Sequence, residues 1–171
     1  ADGTGWTTAS FGQSLGSQHY VFAQVMSTND STPTSTRITD IGLNSFDVVC
    51  QEEESNRTDE VSNHAQETIG YLATQPRLGG SGDPGESIAS VFATGDWSSA
   101  TLQDSYTSTP VVLHGLQSYF GRDTTGLRGR NYSSTSFDVL AQEEQSANDE
   151  TNHVREYVAT LALEDVAITS A

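Results

Sequence analysis

The chain has 171 residues and a formal charge of −16, set by 7 arginines, no lysine and 23 carboxylates. Without a basic stripe or polybasic run, electrostatic attraction to nucleic acid or to an anionic membrane surface is excluded as its mode of action. No apolar run approaches the roughly 18 residues of a membrane-spanning helix, and ADGTGW at the start has no charged stretch leading into an apolar one, so export with a removed signal, or carriage in a virion, is expected.

In chain order, the first predicted strand is the Trp-led segment 6–11, and the second is 20–27. STNDSTPTST, rich in turn formers, separates these from a strand at 37–41. Next comes SFDVVCQEEE at 45–54, where Phe46, Val48 and Cys50 alternate with Asp47, Val49 and Gln51, the period of a strand. Residues 64–74 close this set, and QPRLGGSGDPGE at 75–86 reads as a flexible linker. SIASVF at 87–92 opens a second set, continued by 97–102, 111–118, 128–132, SFDVLAQEEQ at 136–145, and 153–163. The first set has no counterpart of SIASVF, and VAITS at 166–170 is a candidate for that missing edge, in this chain or a neighbour.

The two sets are copies. At an offset of 91, Trp6 meets Trp97, Val21 meets Val112, Ser27 meets Ser118 and Arg37 meets Arg128; beyond Ser55 an offset of 89 aligns Asn63 and His64 with Asn152 and His153, and Glu67 with Glu156. Each copy is too small for an ample core of its own, so the copies are expected to pack on each other or on further subunits. The single Cys50 forms no internal disulfide and reads as a buried apolar thiol. Abundant carboxylates without lysine suit molar salt, where a Debye length of roughly 3 Å screens self-repulsion. A halophilic source is expected.

The duplicated units resemble the H-type lectin family and related tandem modules in surface proteins of halophiles. The features that carry the resemblance are the Trp-led strand, an apolar strand ending in a variable loop, an arginine (Arg37, Arg128) nine residues before Phe-x-Val, and a closing strand ending in Leu-Ala. The resemblance implies an all-β chain of two tandem antiparallel β-sandwich domains, residues 1–74 and 87–171 around the 75–86 linker, assembled as trimers that bind sugars without catalysis. Where animal members place an aromatic after Phe-x-Val, this chain has Gln51-Glu52-Glu53 and Gln142-Glu143-Glu144, so their sugar-binding residues do not carry over.

Chemistry concentrates in QEEESNRTDEVSNHAQE and its echo QEEQSANDETNHVRE. A hairpin placing Phe46 opposite Leu72 gathers Glu52, Glu54, His64 and Glu67, and likewise Glu143, Glu144, His153 and Glu156. Three readings stay open: a divalent cation site, with hard oxygens suiting Ca²⁺ or Mg²⁺ and histidine tilting toward a transition metal; polar pairs that fix strand register; or direct sugar contact. Arg37 and Arg128 recur in a chain that avoids basic residues, either pairing with its carboxylates or across a subunit interface, or gripping a glycan. Tyr119 and Phe120, flanked by Arg122, exist in the second copy only and suit a sugar face, a partner or plain packing. No nucleophile elbow, phosphate-cradling loop or zinc-binding His-Glu-x-x-His occurs. The expected function is therefore non-enzymatic attachment to glycans or glycoproteins at an extracellular, cell or virion surface. The alternatives are a structural trimeric spike, turret, fibre or capsid-decoration protein bound to other virion proteins, or an accessory carbohydrate-binding module of a polysaccharide-degrading enzyme.

Overall fold

The computed structural model describes residues 5–16, 19–53, 64–75, 85–146, 149 and 151–164. The fold is all-β, with strands β1 (Thr7–Ser10), β2 (Tyr20–Val25), β3 (Thr34–Thr39), β4 (Ser45–Glu52), β5 (Ile69–Thr74), β6 (Gly85–Ala93), β7 (Ser98–Thr101), β8 (Val111–Leu116), β9 (Thr125–Arg130), β10 (Ser136–Glu143) and β11 (Glu156–Leu163). They form four antiparallel sheets, ordered β1-β4-β3, β2-β5, β7-β10-β9 and β6-β11-β8. Two expected features, Glu54 and the strand at 166–170, lie outside the described residues, as does most of the linker.

The strand order within the first repeat is reproduced in the second, and so are its small polar contacts. Thr8 donates to Asp47 at 2.6 Å and Ser99 to Asp138 at 2.6 Å. Thr34 and Thr125 each donate to a carbonyl of the central strand, Gln51 or Gln142. The turn into that central strand holds one residue in the left-handed region, Asp40 at φ 48° and Asn131 at φ 52°. Both are short polar residues, the non-glycine types that tolerate this conformation best.

The expected hairpin between the strands at 45–54 and 64–74 does not form. β4 spends both edges on β1 and β3, while β5 pairs with β2, Phe22 facing Leu72. Period-two alternation tells which residues point inward but carries no information about the neighbouring strand. β5 and β11 also begin later than expected, at Ile69 and Glu156, because the residues before them engage in side-chain contacts described below.

Each pair of sheets encloses one apolar cluster in a sandwich-like arrangement. Val21, Ile38, Phe46 and Val48 form the first. Leu116, Phe137, Val139, Ala141 and Val158 are among those forming the second, which gains Ala93 from β6. β10 follows strict alternation, with Phe137, Val139, Ala141 and Glu143 buried and Asp138, Leu140 and Gln142 half-buried. Its twin β4 departs from this: Val49 and Gln51, on the outer face, are fully buried as well. The sequences there are nearly identical, so the cause is tertiary. The second repeat covers the outer face of the first repeat's β1-β4-β3 sheet.

Candidate functional site

The covering element is the loop between β8 and β9. Gln117 caps the edge of β2, accepting from the Val21 amide at 3.0 Å and donating to its carbonyl at 2.7 Å. The Thr124 hydroxyl donates to the Glu52 carbonyl, and the Gln51 amide donates to the Arg122 carbonyl. Arg37, wholly buried, projects from β3 into this loop and donates to Glu156 at 2.8 Å, to the Asp123 carbonyl at 3.2 Å and to the Gly121 carbonyl at 3.4 Å. Its guanidinium lies 4.7 Å from the Tyr119 ring centre, and Tyr119 meets Trp6 edge-on at 5.1 Å. Of the aromatic pair expected at a loop tip, Tyr119 is thus taken up between the repeats.

Glu156, at the start of β11, is the hub of a buried network. Its carboxylate accepts from Arg37, the Ser118 hydroxyl and the amides of Phe120 and Gly121. His153 sits 3.2 Å from Glu156 on one ring nitrogen and 2.9 Å from Glu143 on the other. Burial opposes ionisation of Glu156, but His153, the Gly121 amide, Ser118 and the Phe120 amide outweigh it and hold the carboxyl at about 2. Glu144 turns away to the Ser146 amide. Gly121 fits because a Cβ there would lie 2.8 Å from His153 Nε2.

The first repeat builds the matching arrangement. Glu67 accepts from the Ser27 hydroxyl and from the amides of Asn29 at 2.8 Å and Asp30 at 3.1 Å. The Ser27 hydrogen bond, against burial and with those amides, holds Glu67 below the usual carboxylate range. His64 lies 2.9 Å from Glu52 and 3.4 Å from Glu67. Asp30, the counterpart of Gly121, adds a carboxylate, so that ligand atoms of Asp30, Glu52 and His64 lie within 4.8 Å of one another. This trio has the oxygens and imidazole that a divalent cation takes. In the second repeat, Gly121 removes the third carboxylate.

Arg128 is placed differently from Arg37. It is exposed on β9, and its side chain makes no hydrogen bond or ion pair among the described residues. With Thr125, Leu127, Gln142 and Glu143, and with Ser35 of β3 in the first repeat, it lines a cavity of about 380 Å³. Beyond the inter-repeat contact, Phe120 is 61% exposed and its ring lies 5.6 Å from that of Tyr157, itself 43% exposed. Tyr157 in turn lies 4.8 Å from Phe92, over which Arg155 stacks at 4.2 Å. The Arg122 side chain is exposed beside them in the chain.

The structure therefore groups Glu52, His64 and Glu67, and separately Glu143, His153, Glu156 and Arg37, and leaves Arg128, Phe120 and Arg122 outside both groups. Sequence reasoning missed Asp30, Gln51, Gln117 and Tyr157. The pairing of Ser27 with Ser118 in the repeat alignment was the available signal for the shell around Glu67 and Glu156. Comparison of the chain with models of protein families, with curated proteins and with solved structures finds no match.

Proposed function

We propose that this chain is a non-enzymatic attachment protein of a halophile or its virus. It binds glycans or glycoproteins through lectin-like sandwich repeats and stands on a cell or virion surface as a homo-oligomer, a trimer by the H-type lectin resemblance. The observation that supports this reading is the aromatic surface of Phe120, Tyr157 and Phe92 with Arg155 over it. The exposed rings of Phe120 and Tyr157, beside half-buried Phe92 and the Arg155 guanidinium stacked on it, suit the apolar face and the hydroxyls of a sugar ring. The loop that carries Phe120 is held by the Phe120 and Gly121 amides on Glu156, so little ordering is needed on binding. Weak single sites gain strength when displayed in several copies.

Hydrogen-exchange footprinting in molar salt, with and without a pool of soluble oligosaccharides, tests the site. Slower exchange confined to residues 119–122 and the start of β11 is expected; protection elsewhere, with none there, would reject it. A cation belongs to the reading only at Asp30, Glu52 and His64. After EDTA treatment, Ca²⁺ or Mg²⁺ should raise the melting temperature of the wild type and not that of Asp30→Asn. A structural spike, fibre or capsid-decoration role is the second reading, favoured by the consumption of Tyr119 between the repeats.

A further inference from the structure

We infer that copies of this chain associate through the outer face of β2, β5 and β8, an uncharged apolar surface that runs from the first repeat onto the second; this rests on the reading of the chain as a homo-oligomer and names the surface that joins the copies.

The strand registers define the face. Phe22 lies opposite Leu72 and Gln24 opposite Gly70, and in the second repeat Leu113 and Val111 lie opposite Leu161 and Leu163. Val21, Ala23, Ile69 and Ala73 pack in the first core and Val112 in the second, so alternation turns Phe22, Leu72, Val111 and Leu113 outward. The two halves meet at Gly115, where a Cβ would lie 3.0 Å from the Phe22 ring, and Gln117 ties them through the Val21 backbone. The face is thus continuous with the contact between the repeats.

This face is open. Leu72 is 48% exposed, Leu113 45% and Val111 54%, whereas Leu161, the counterpart of Leu72 in the second repeat, is buried. A groove of about 400 Å³ is lined by Leu72, Leu113, Phe22, Gln24, Tyr71 and His114 among others. It has few free polar groups for a sugar. The Tyr71 hydroxyl donates to the Ser10 carbonyl, and the His114 ring nitrogens are engaged by the Thr160 and Tyr132 hydroxyls.

Charge selects a second copy as the occupant. Each chain carries −16, so two copies repel wherever their carboxylates meet. β2, β5 and β8 contain no Asp, Glu or Arg, so two copies come together here without adding to that repulsion. A continuous exposed apolar surface on a protein this rich in carboxylates is where association removes the most apolar area from water. Leu161 and Leu163, which flank Leu113 and Val111, lie roughly 13–20 Å along β11 from Tyr157, which keeps the proposed sugar surface outside the groove.

The test is mass determination in molar salt, by sedimentation equilibrium, for the wild type, Leu72→Asp, Leu113→Asp and Leu43→Asp. All three positions are exposed, and Leu43 lies in the turn before β4, outside the face. Circular dichroism checks that each variant is folded. The wild type should be oligomeric. Leu72→Asp and Leu113→Asp should each associate at least roughly a hundredfold more weakly, because each brings an unpaired carboxylate into an apolar contact. Leu43→Asp, which has the same net charge as those variants, should keep the wild-type mass. A monomeric wild type would overturn both this inference and the homo-oligomer reading. A wild-type oligomer whose mass Leu72→Asp and Leu113→Asp both retain, or one that Leu43→Asp disrupts equally, would overturn this inference alone.

Discussion

Arg37 and Arg128 occupy the same place in the repeat, and the difference between them is set by what lies above. Arg37 is enclosed with Glu156 at 2.8 Å, and removing one member of a buried charge pair leaves the other unbalanced in a medium of low dielectric. Arg37→Ala should therefore cost about 3–5 kcal/mol of unfolding free energy. Arg128→Ala, studied at a concentration where the chain is monomeric, should change it by less than about 0.5 kcal/mol, as surface substitutions do. Paired urea titrations read both, and equal costs would contradict the placement of either arginine. Recurrence in an arginine-poor chain marked both positions in the sequence; nothing local could tell which was covered, because the cover comes from residues more than 80 positions away.

Two acid-range effects belong to single residues, Glu156 in the Arg37 network and His114 of β8, whose ring nitrogens lie 3.1 Å from the Thr160 hydroxyl and 3.0 Å from the Tyr132 hydroxyl. Glu156 is held at about 2, below its ordinary value of 4.5. A carboxyl depressed in the folded state contributes stability in full above its unfolded value, and that contribution is lost as pH falls through the folded value, here between about 4.5 and 2. His114 is pushed down to about 4 by burial, so the unfolded chain binds its proton first and stability falls as pH drops from 6.5 toward 4. Thermal melts from neutral to acid pH should show the His114 component disappear in His114→Gln, while the loss at lower pH remains. A melting curve of that variant still falling equally between pH 6.5 and 4 would contradict the assignment.

At the scale of elements, β5 and β11 are twins with different surroundings. β11 is paired on both edges, by β6 and β8, whereas β5 pairs only with β2 among the described residues. Amides with a single flanking strand open more readily. Hydrogen exchange at pH 7 should thus be slower at residues 158–163 than at their counterparts 69–74, and the reverse order would contradict the sheet assignment. The approximate positions of these strands were legible, because alternation and a repeat alignment with one two-residue gap fix where strands lie, though not where they start. Their partners were not: the expected β4–β5 hairpin fails because β4 is central to a three-stranded sheet, and only the tertiary arrangement reveals that. The carboxylates and histidines still come together, through Glu52 at the end of β4 and His64 in the approach to β5, rather than across a shared ladder.

At the scale of the molecule, the composition and the covering of one repeat by the other point the same way. A chain of charge −16 resists compaction in dilute buffer, and screening relieves it. The melting temperature should climb steadily from millimolar to molar sodium chloride. A flat or falling dependence would remove salt adaptation from the account. The repeat made the duplicated all-β architecture readable from sequence, but the asymmetry between the copies depends on a loop, residues 117–124, whose partner only the folded chain identifies.

The most direct measurement is a glycan array probed in molar salt with the intact protein and with a Phe120→Ala/Tyr157→Ala variant of the same oligomeric mass. The account predicts binding to a restricted set of glycans, lost in the variant. Binding that survives the double substitution would displace the site, and an array blank for the intact oligomer would contradict attachment through sugars and leave the chain a structural component.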